Sequence, residues 1–294
     1  VFRVIRNYYL GTPMWAMRPW AGTLYRRSTA ANRYLPEYAS VFNTVEGNNT
    51  FYNLPNAETV ARWRRDTPEN FHFCFKFPRG ITHDAKLHPD AASEAQRFFR
   101  VLEPLADRIE VLFLQLPPSF CAADLPRLAA FIPHLSKDYH YAVEVRHLDF
   151  FRDDDNERAF VELLREHGLN YAMFDTGTLH GLESEAPETL AAQRKKPKMP
   201  QRRIVTGQRP WLRYVGHPEV EPNEDNLSRM AVEVSTWIAE GRTPIVFMHS
   251  PGDLHVPQLC RRFHDHLSKW SDVGFVPDFP GEMEEARPEQ LDLF

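Results

Sequence analysis

The stretch Val41–Pro55, VFNTVEGNNTFYNLP, opens as a strand and ends in a cluster of polar and aromatic groups. Val41, Phe42, Thr44 and Val45 are of the β-branched and aromatic kinds that suit a pleated strand. Glu46, Asn48, Asn49, Thr50, Phe51 and Tyr52 then bring groups that carry charge, hydrogen-bond and stack, more than a structural turn requires. Pro55 and Asn56 start a helix over about 57–66, with Asn56 as its N-cap. The unit reads as strand, rim of a site, helix.

The same rhythm runs outward in both directions. Upstream lie a strand at 7–12, an aromatic loop with Trp15, Trp20 and Tyr25, and a helix over about 31–40. Downstream, residues 71–77 alternate, with Phe71, Phe73, Phe75 and Phe77 on one face and His72, Cys74 and Lys76 on the other. Further strands are expected at 111–116, 141–147, 169–176, 211–216 and 244–249. Helices are expected at about 90–105, 125–132, 156–167, 224–240 and 256–270. Eight strands nearly all separated by helices fit a single-domain (β/α)8 TIM barrel over residues 1–274 better than an open sheet. Beyond Gly274 the chain turns proline-rich and acidic, so residues 275–294 read as a disordered tail.

Composition narrows the class. A hydrophobic share of 43% and a charged share of 26% are ordinary for a globular domain, and no apolar run is long enough to span a bilayer. The start, VFRVIRNYYLG, reads as a short basic lead into a strand rather than a signal peptide. Cys74, Cys121 and Cys260 have neither metal-ligand spacing nor an even count, which points to the reduced cytoplasm. A net charge of −5 argues against a surface built for non-specific DNA binding. It leaves room for a local basic patch, and 194–203, RKKPKMPQRR, lies in the long connection between strands six and seven. That run is either a phosphate contact or a solvated surface.

The order of motifs resembles the YecE-like family, the bacterial domain of unknown function 72. The matching pieces include Gly11-Thr12 with Trp15, the run Phe42-Asn43-Thr44-Val45-Glu46, and Asn49-Thr50-Phe51-Tyr52-Asn53-Leu54-Pro55. They continue through Lys76-Phe77-Pro78, Gln115-Leu116-Pro117-Pro118, Val143-Glu144-Val145-Arg146-His147, Asp175-Thr176, Arg213-Tyr214-Val215-Gly216 and Met248-His249-Ser250-Pro251. Gly47 stands where the family segment often has an aliphatic residue, and Pro251-Gly252-Asp253-Leu254 also varies from the usual forms. The resemblance implies a TIM barrel and brings no established activity.

In such a barrel the reactive groups sit at the carboxyl ends of the strands. Alternation nominates Glu46, Lys76, Gln115, Glu144, Arg146, Asp175, Arg213 and His249 as inward-facing, with Asn48, Asn49 and His83 close by. Glu46, Lys76, Glu144, Asp175 and His249 are the candidates for acid–base chemistry. Arg146 and Arg213 suit a phosphate or carboxylate, and Asn49, Tyr52, Gln115 and Trp15 complete the substrate contacts. A buried ionic network that merely fills the barrel mouth is the competing reading. A divalent metal is an alternative on ligand type alone, through Glu46, Glu144, Asp175, His83, His249 and His217, although no HExxH or close His pair is present. Trp15, Trp20, Phe51 and Tyr52 can stack on a base or sugar, whereas helix-to-barrel packing is an equal reading for Trp20 and the better one for Trp63.

The last five residues, Gln290-Leu291-Asp292-Leu293-Phe294, resemble the pentapeptide by which bacterial proteins dock on the DNA polymerase sliding clamp, the β clamp. Gln290, Leu291, Leu293 and Phe294 are the specified positions, and an acidic linker sets their reach. Together these features point to an enzyme on a phosphate-bearing substrate, in its most specific form a nucleic-acid hydrolase tethered to the clamp. The alternatives are a small-molecule isomerase, aldolase or phosphate hydrolase, and a non-catalytic DNA- or ligand-binding module.

Overall fold

The computed structural model describes residues 5–285. Its eight strands are β1 (Tyr9–Gly11), β2 (Thr44–Gly47), β3 (His72–Lys76), β4 (Ile109–Gln115), β5 (Tyr141–Glu144), β6 (Asn170–Asp175), β7 (Trp211–Val215) and β8 (Ile245–His249). All ladders are parallel, in the order β1-β8-β7-β6-β5-β4-β3-β2, which wraps the sheet into a nearly closed barrel. The helices lie between the strands: α1 (Tyr34–Ala39), α2 (Asn49–Tyr52), α3 (Ala57–Arg65), α4 (Ala92–Leu102), α5 (Leu125–Phe131), α6 (Asp149–Arg152), α7 (Asp154–Glu166), α8 (Gly177–Gly181), α9 (Pro187–Lys195), α10 (Glu224–Ala239), α11 (Val256–Leu267) and α12 (Pro280–Glu285). Asn56 caps α3 as expected, its side chain accepting from Thr59 N at 2.8 Å. No helix among the described residues is long and apolar enough to cross a membrane.

The alternation along β3 sorts the core into two layers. Cys74 faces inward and joins Val111, Phe113, Ala142, Ala172, Trp211, Ile245 and Phe247 inside the barrel. Phe113 and Trp211 stack there with ring centroids 5.0 Å apart. Phe73 and Phe75 face outward to Trp63 of α3, which stacks on Phe75 at 5.3 Å. Each such side chain contributes about 1.5–3 kcal/mol by leaving water, so the outward face of β3 anchors its helix.

One seam lacks a backbone ladder. Between β1 and β2 the Asn43 side chain takes the ladder's place, accepting from Leu10 N and donating to Tyr8 O, both at 2.8 Å. Glu46 N donates to Thr12 O at 3.1 Å just beyond. The strands approach so closely that a Cβ on Gly11 would lie 2.3 Å from Thr44 O, which only glycine avoids.

The chain does not leave the barrel at Gly274. Phe279 is fully buried, packs against Phe42 at 6.2 Å and lies under the Arg261 guanidinium. α12 follows, with Glu282 paired to Arg261 and Gly281 pressed on the backbone of Thr23 and Tyr25. Residues 275–285 therefore belong to the packed structure, and the expected tail is corrected by that much. The composition misled because one aromatic anchor is enough to dock a proline-rich segment. Gln290, Leu291, Leu293 and Phe294 lie outside the described residues.

Candidate functional site

Six strands send polar side chains to the carboxyl end of the barrel, where they form one connected network. Arg213 of β7 donates from Nε to Glu46 Oε2 at 2.7 Å, from Nη2 to Glu46 Oε1 at 2.9 Å, and from Nη1 to Glu144 Oε2 at 2.5 Å. Arg146 donates to Glu144 Oε1 at 2.6 Å, as does Gln115 at 3.0 Å. Lys76 donates in turn to Gln115 Oε1 at 2.5 Å, and its ammonium sits 3.7 Å from the centre of the Phe51 ring. Asn48 donates to Glu46 Oε1 at 2.9 Å. His249 of β8 places Nε2 3.6 Å from Glu46 Oε2, just past hydrogen-bond reach, and that buried nitrogen has no other partner among the described residues. Glu46 points inward as expected, but it meets Arg213 and His249 directly and reaches β5 only through Arg213.

Burial and charge oppose one another at the two carboxylates, whereas nearby cations add to burial at Lys76 and His83. Burial raises the Glu46 carboxyl, yet Arg213 and His249 outweigh it and hold it well below the usual carboxylate range. Glu144 is likewise held low against burial by Arg146 and Arg213. Lys76 loses its hydration, faces two arginines, and is pushed down to about 7. Burial also lowers His249, and Arg213 and Lys196 add to that while Glu46 opposes it. His83 packs on Phe51 and is pushed down to about 4, by burial and then by Lys76 and Arg146. The mouth thus holds two anionic carboxylates beside an imidazole and an amine that both favour their neutral forms.

An open cleft of about 660 Å³ lies over the network, lined by Glu46, Arg213 and His249. Trp15, Asn48, Asn49 and Tyr52 form part of its wall, together with Lys195, Lys196, Ser250 and Asp253. Tyr52 is 73% exposed and free to stack on a ligand. Trp15 is largely spent on Trp63, 5.6 Å away, and on Phe73. Trp20 is fully buried and donates its Nε1 to Asp253 O at 2.9 Å, and Phe51 lies beneath Lys76. The stacking expected of Trp20 and Phe51 is therefore corrected to packing.

Three further expectations change. Asp175 faces away from the network, because Ala172 and Phe174 are the inward residues of β6. Its carboxylate accepts from Arg203 at 2.6 Å and from Gln201 and Gly177 N at 3.0 Å. It fastens the connection after β6 and takes no part in the mouth. Arg213, expected to grip an anion, has its guanidinium filled by Glu46 and Glu144 and flanked by the Phe113 and Phe174 rings at 5.2 and 4.8 Å. It thereby positions two carboxylates while still lining the cleft. The ligand types expected for a metal are not gathered: among the described residues no group of three or more His, Cys, Asp or Glu is placed to hold an ion. The oxygens of Glu46 and Glu144 face arginines, and His217 Nδ1 accepts from Glu219 N at 3.0 Å.

Sequence reasoning passed over Ser250, Lys195 and Lys196 as site residues. Ser250 directly follows the last residue of β8, a position that opens onto the mouth of a barrel, so its place was available from the strand boundary. The two lysines were visible only as members of a basic run.

A nearly closed parallel barrel with one ionic network at its strand ends, open to a cleft, defines the class of this protein. Within that class the chain belongs to the DUF72 family: the family model described as "Protein of unknown function DUF72" matches residues 9–282. The UPF0759 protein YecE of Escherichia coli K12 is 35% identical over 275 residues, covering 92% of this chain and 97% of that protein. The UPF0759 protein YunF of Bacillus subtilis is 29% identical over 190 residues, covering 63% of this chain and 65% of that one. A crystal structure of a DUF72 family protein from Thermotoga maritima is similar with a TM-score of 0.67 and 25% identity, covering 89% of this chain and 99% of its own.

Proposed function

We propose that this chain is an enzyme that moves a proton on an anionic, phosphate-bearing substrate held in the strand-end cleft. The observation that carries this reading is the pair at the end of β2 and β8. An ionised carboxylate, Glu46, lies 3.6 Å from Nε2 of His249, which has no other partner among the described residues, and both line the cleft. A carboxylate beside Nε2 favours the tautomer with the proton there and the lone pair on Nδ1. His249 then accepts the substrate proton, and Glu46 stabilises the imidazolium that forms. Arg213 holds Glu46 in place, and Asn49 and Tyr52 supply polar and stacking contacts. A thermal-shift panel of phosphorylated metabolites, nucleotides and DNA, followed by turnover assays on whatever binds, tests it. His249→Gln should bind the substrate and lose about 10²-fold or more in kcat. Undiminished turnover in that variant overturns the assignment.

A second reading places the same chemistry on nucleic acid at the sliding clamp. It is favoured by the sequence Gln290-Leu291-Asp292-Leu293-Phe294, with its similarity to clamp-binding peptides. Pulldown of purified clamp by the full chain, but not by a Gln290→Ala, Phe294→Ala variant, supports the tether, and equal capture by both sinks it. Assays on abasic, nicked and single-stranded DNA separate this reading from a small-molecule enzyme. Binding without turnover, unaffected in Glu144→Gln, marks a non-catalytic module.

A further inference from the structure

The basic run at 194–203 divides in the fold. Arg202 is paired with Glu157, and Arg203 with Asp175 and Glu233. Lys195, the last residue of α9, and Lys196, the next, line the strand-end cleft instead. Neither ammonium has an ion-pair or hydrogen-bond partner within the described residues. Lys196 is fixed from behind, since its carbonyl accepts from His180 Nε2 and its N–H donates to Ala192 O.

Ser250 lines the same cleft. It is 2% exposed, and its Oγ has no hydrogen-bond partner among the described residues. Its backbone is already held, with N donating to Asp253 Oδ1 at 2.9 Å and O accepting from Asp253 N at 3.2 Å. The hydroxyl is therefore left over, and a buried polar group without a partner calls for one from outside the chain. Glu188 and Asp253 also border the cleft, so the two lysines are matched there by two carboxylates and carry no net surplus of positive charge. Arg213 adds none, because Glu46 and Glu144 neutralise it. Burial lowers the Lys196 ammonium and Asp253 only partly offsets that, which is the condition of a cation awaiting a counter-charge.

We propose that Lys195, Lys196 and the Ser250 hydroxyl form the oxyanion subsite of the cleft and hold a phosphoryl oxygen of the substrate. The proposal rests on the acid–base reading of the cleft and gives it a direction: the charged end lies against the loops after β6 and β8, the reactive end over Glu46 and His249. Phosphoryl recognition then uses two lysines as point charges, with a hydroxyl donor to orient the group.

Calorimetric titration of the full-length protein with inorganic phosphate, dimethyl phosphate and acetate tests this, with melting curves as fold controls. Lys196→Met should weaken phosphate binding by about tenfold or more and Ser250→Ala several-fold, while Lys196→Arg restores most of it. Lys198→Met, in the same run but outside the cleft, should bind as the parent does. Dimethyl phosphate should compete with phosphate. Unchanged phosphate affinity in folded Lys196→Met, or no saturable binding by the parent, overturns the subsite. Equal binding of acetate overturns its phosphoryl assignment. A cleft that binds phosphate through Lys196 but supports no turnover leaves the subsite standing and removes the proton-transfer reading. Turnover with phosphate affinity indifferent to Lys196 does the reverse.

Discussion

Arg213 grips Glu46 with two parallel hydrogen bonds, Nε and Nη2 to the two carboxylate oxygens, at 2.7 and 2.9 Å. That fork, with its third arm on Glu144, makes the arginine the keystone of the barrel mouth. Its removal leaves two buried carboxylates without their shared cation. Breaking a buried pair from one side typically costs about 3–5 kcal/mol. Arg213→Met should therefore unfold at markedly lower urea concentration than the parent. Adding Glu46→Gln and Glu144→Gln to it should recover part of the loss, and no recovery would show that the carboxylates are not the source of the strain.

Lys76 offers a titration that can be followed directly. With its ammonium pushed down to about 7, the ¹³Cε resonance of this side chain should show a midpoint near neutral pH that disappears in Lys76→Met. Between that value and the ordinary lysine range the folded protein holds fewer protons than the unfolded chain. Stability attributable to this group therefore rises with pH through that window, and Lys76→Met should flatten the rise. An amine that gives up its proton near neutral pH also suits attack on a carbonyl, so trapping with borohydride in the presence of an aldehyde is a natural extension.

Asp175 should prove dispensable for chemistry. Asp175→Asn removes a charged contact to Arg203 and should cost about 1.5–3 kcal/mol of stability. Ligand affinity and turnover measured below the melting range should stay near the parent values. A large drop in kcat without loss of stability would return this residue to the site.

Gly11→Ala addresses the seam. The added methyl would meet backbone, not a side chain able to turn aside, so the strands must separate. Overpacking of this kind costs about 1–3 kcal/mol. Hydrogen exchange should accelerate at Leu10 and Glu46, whose N–H groups bridge β1 and β2, more than at β4 or β5. Uniform acceleration would argue against a local effect.

The strands were legible because their outward faces are made of large apolar side chains. Phe71, Phe73, Phe75 and Phe77 alternate with smaller or polar residues, and the barrel interior takes the latter. The same logic correctly turned Glu46, Lys76, Gln115, Glu144, Arg213 and His249 inward. It failed at Asp175 because β6 is apolar on both faces: Ala172 and Phe174 fill the interior while Tyr171 and Met173 pack outside. Polarity alone then pointed the wrong way. Pairing was not legible at all. Nothing in the order of residues says that Arg213 is consumed by Glu46 and Glu144, or that Arg202 and Arg203 are consumed while Lys195 and Lys196 are not. Those outcomes depend on which strand ends become neighbours. The docking of 275–285 was hidden for a related reason, since one residue, Phe279, decides it against the trend of its surroundings.

The seam at β1 also sets an order of assembly. Tyr9 finds its ladder partner in Ile245, so β1 cannot complete its pairing until β8, more than two hundred residues later, has emerged. Contacts spanning such a separation come late, because the loop they close must be ordered first. Glu46 takes its backbone bond from Thr12 and its side-chain partners from β7 and β8, so it sits where both ends of the chain converge. A nascent or truncated chain can form its middle strands and still lack a working mouth. Arrival of β7 and β8 is thereby written into the site as a condition for its existence.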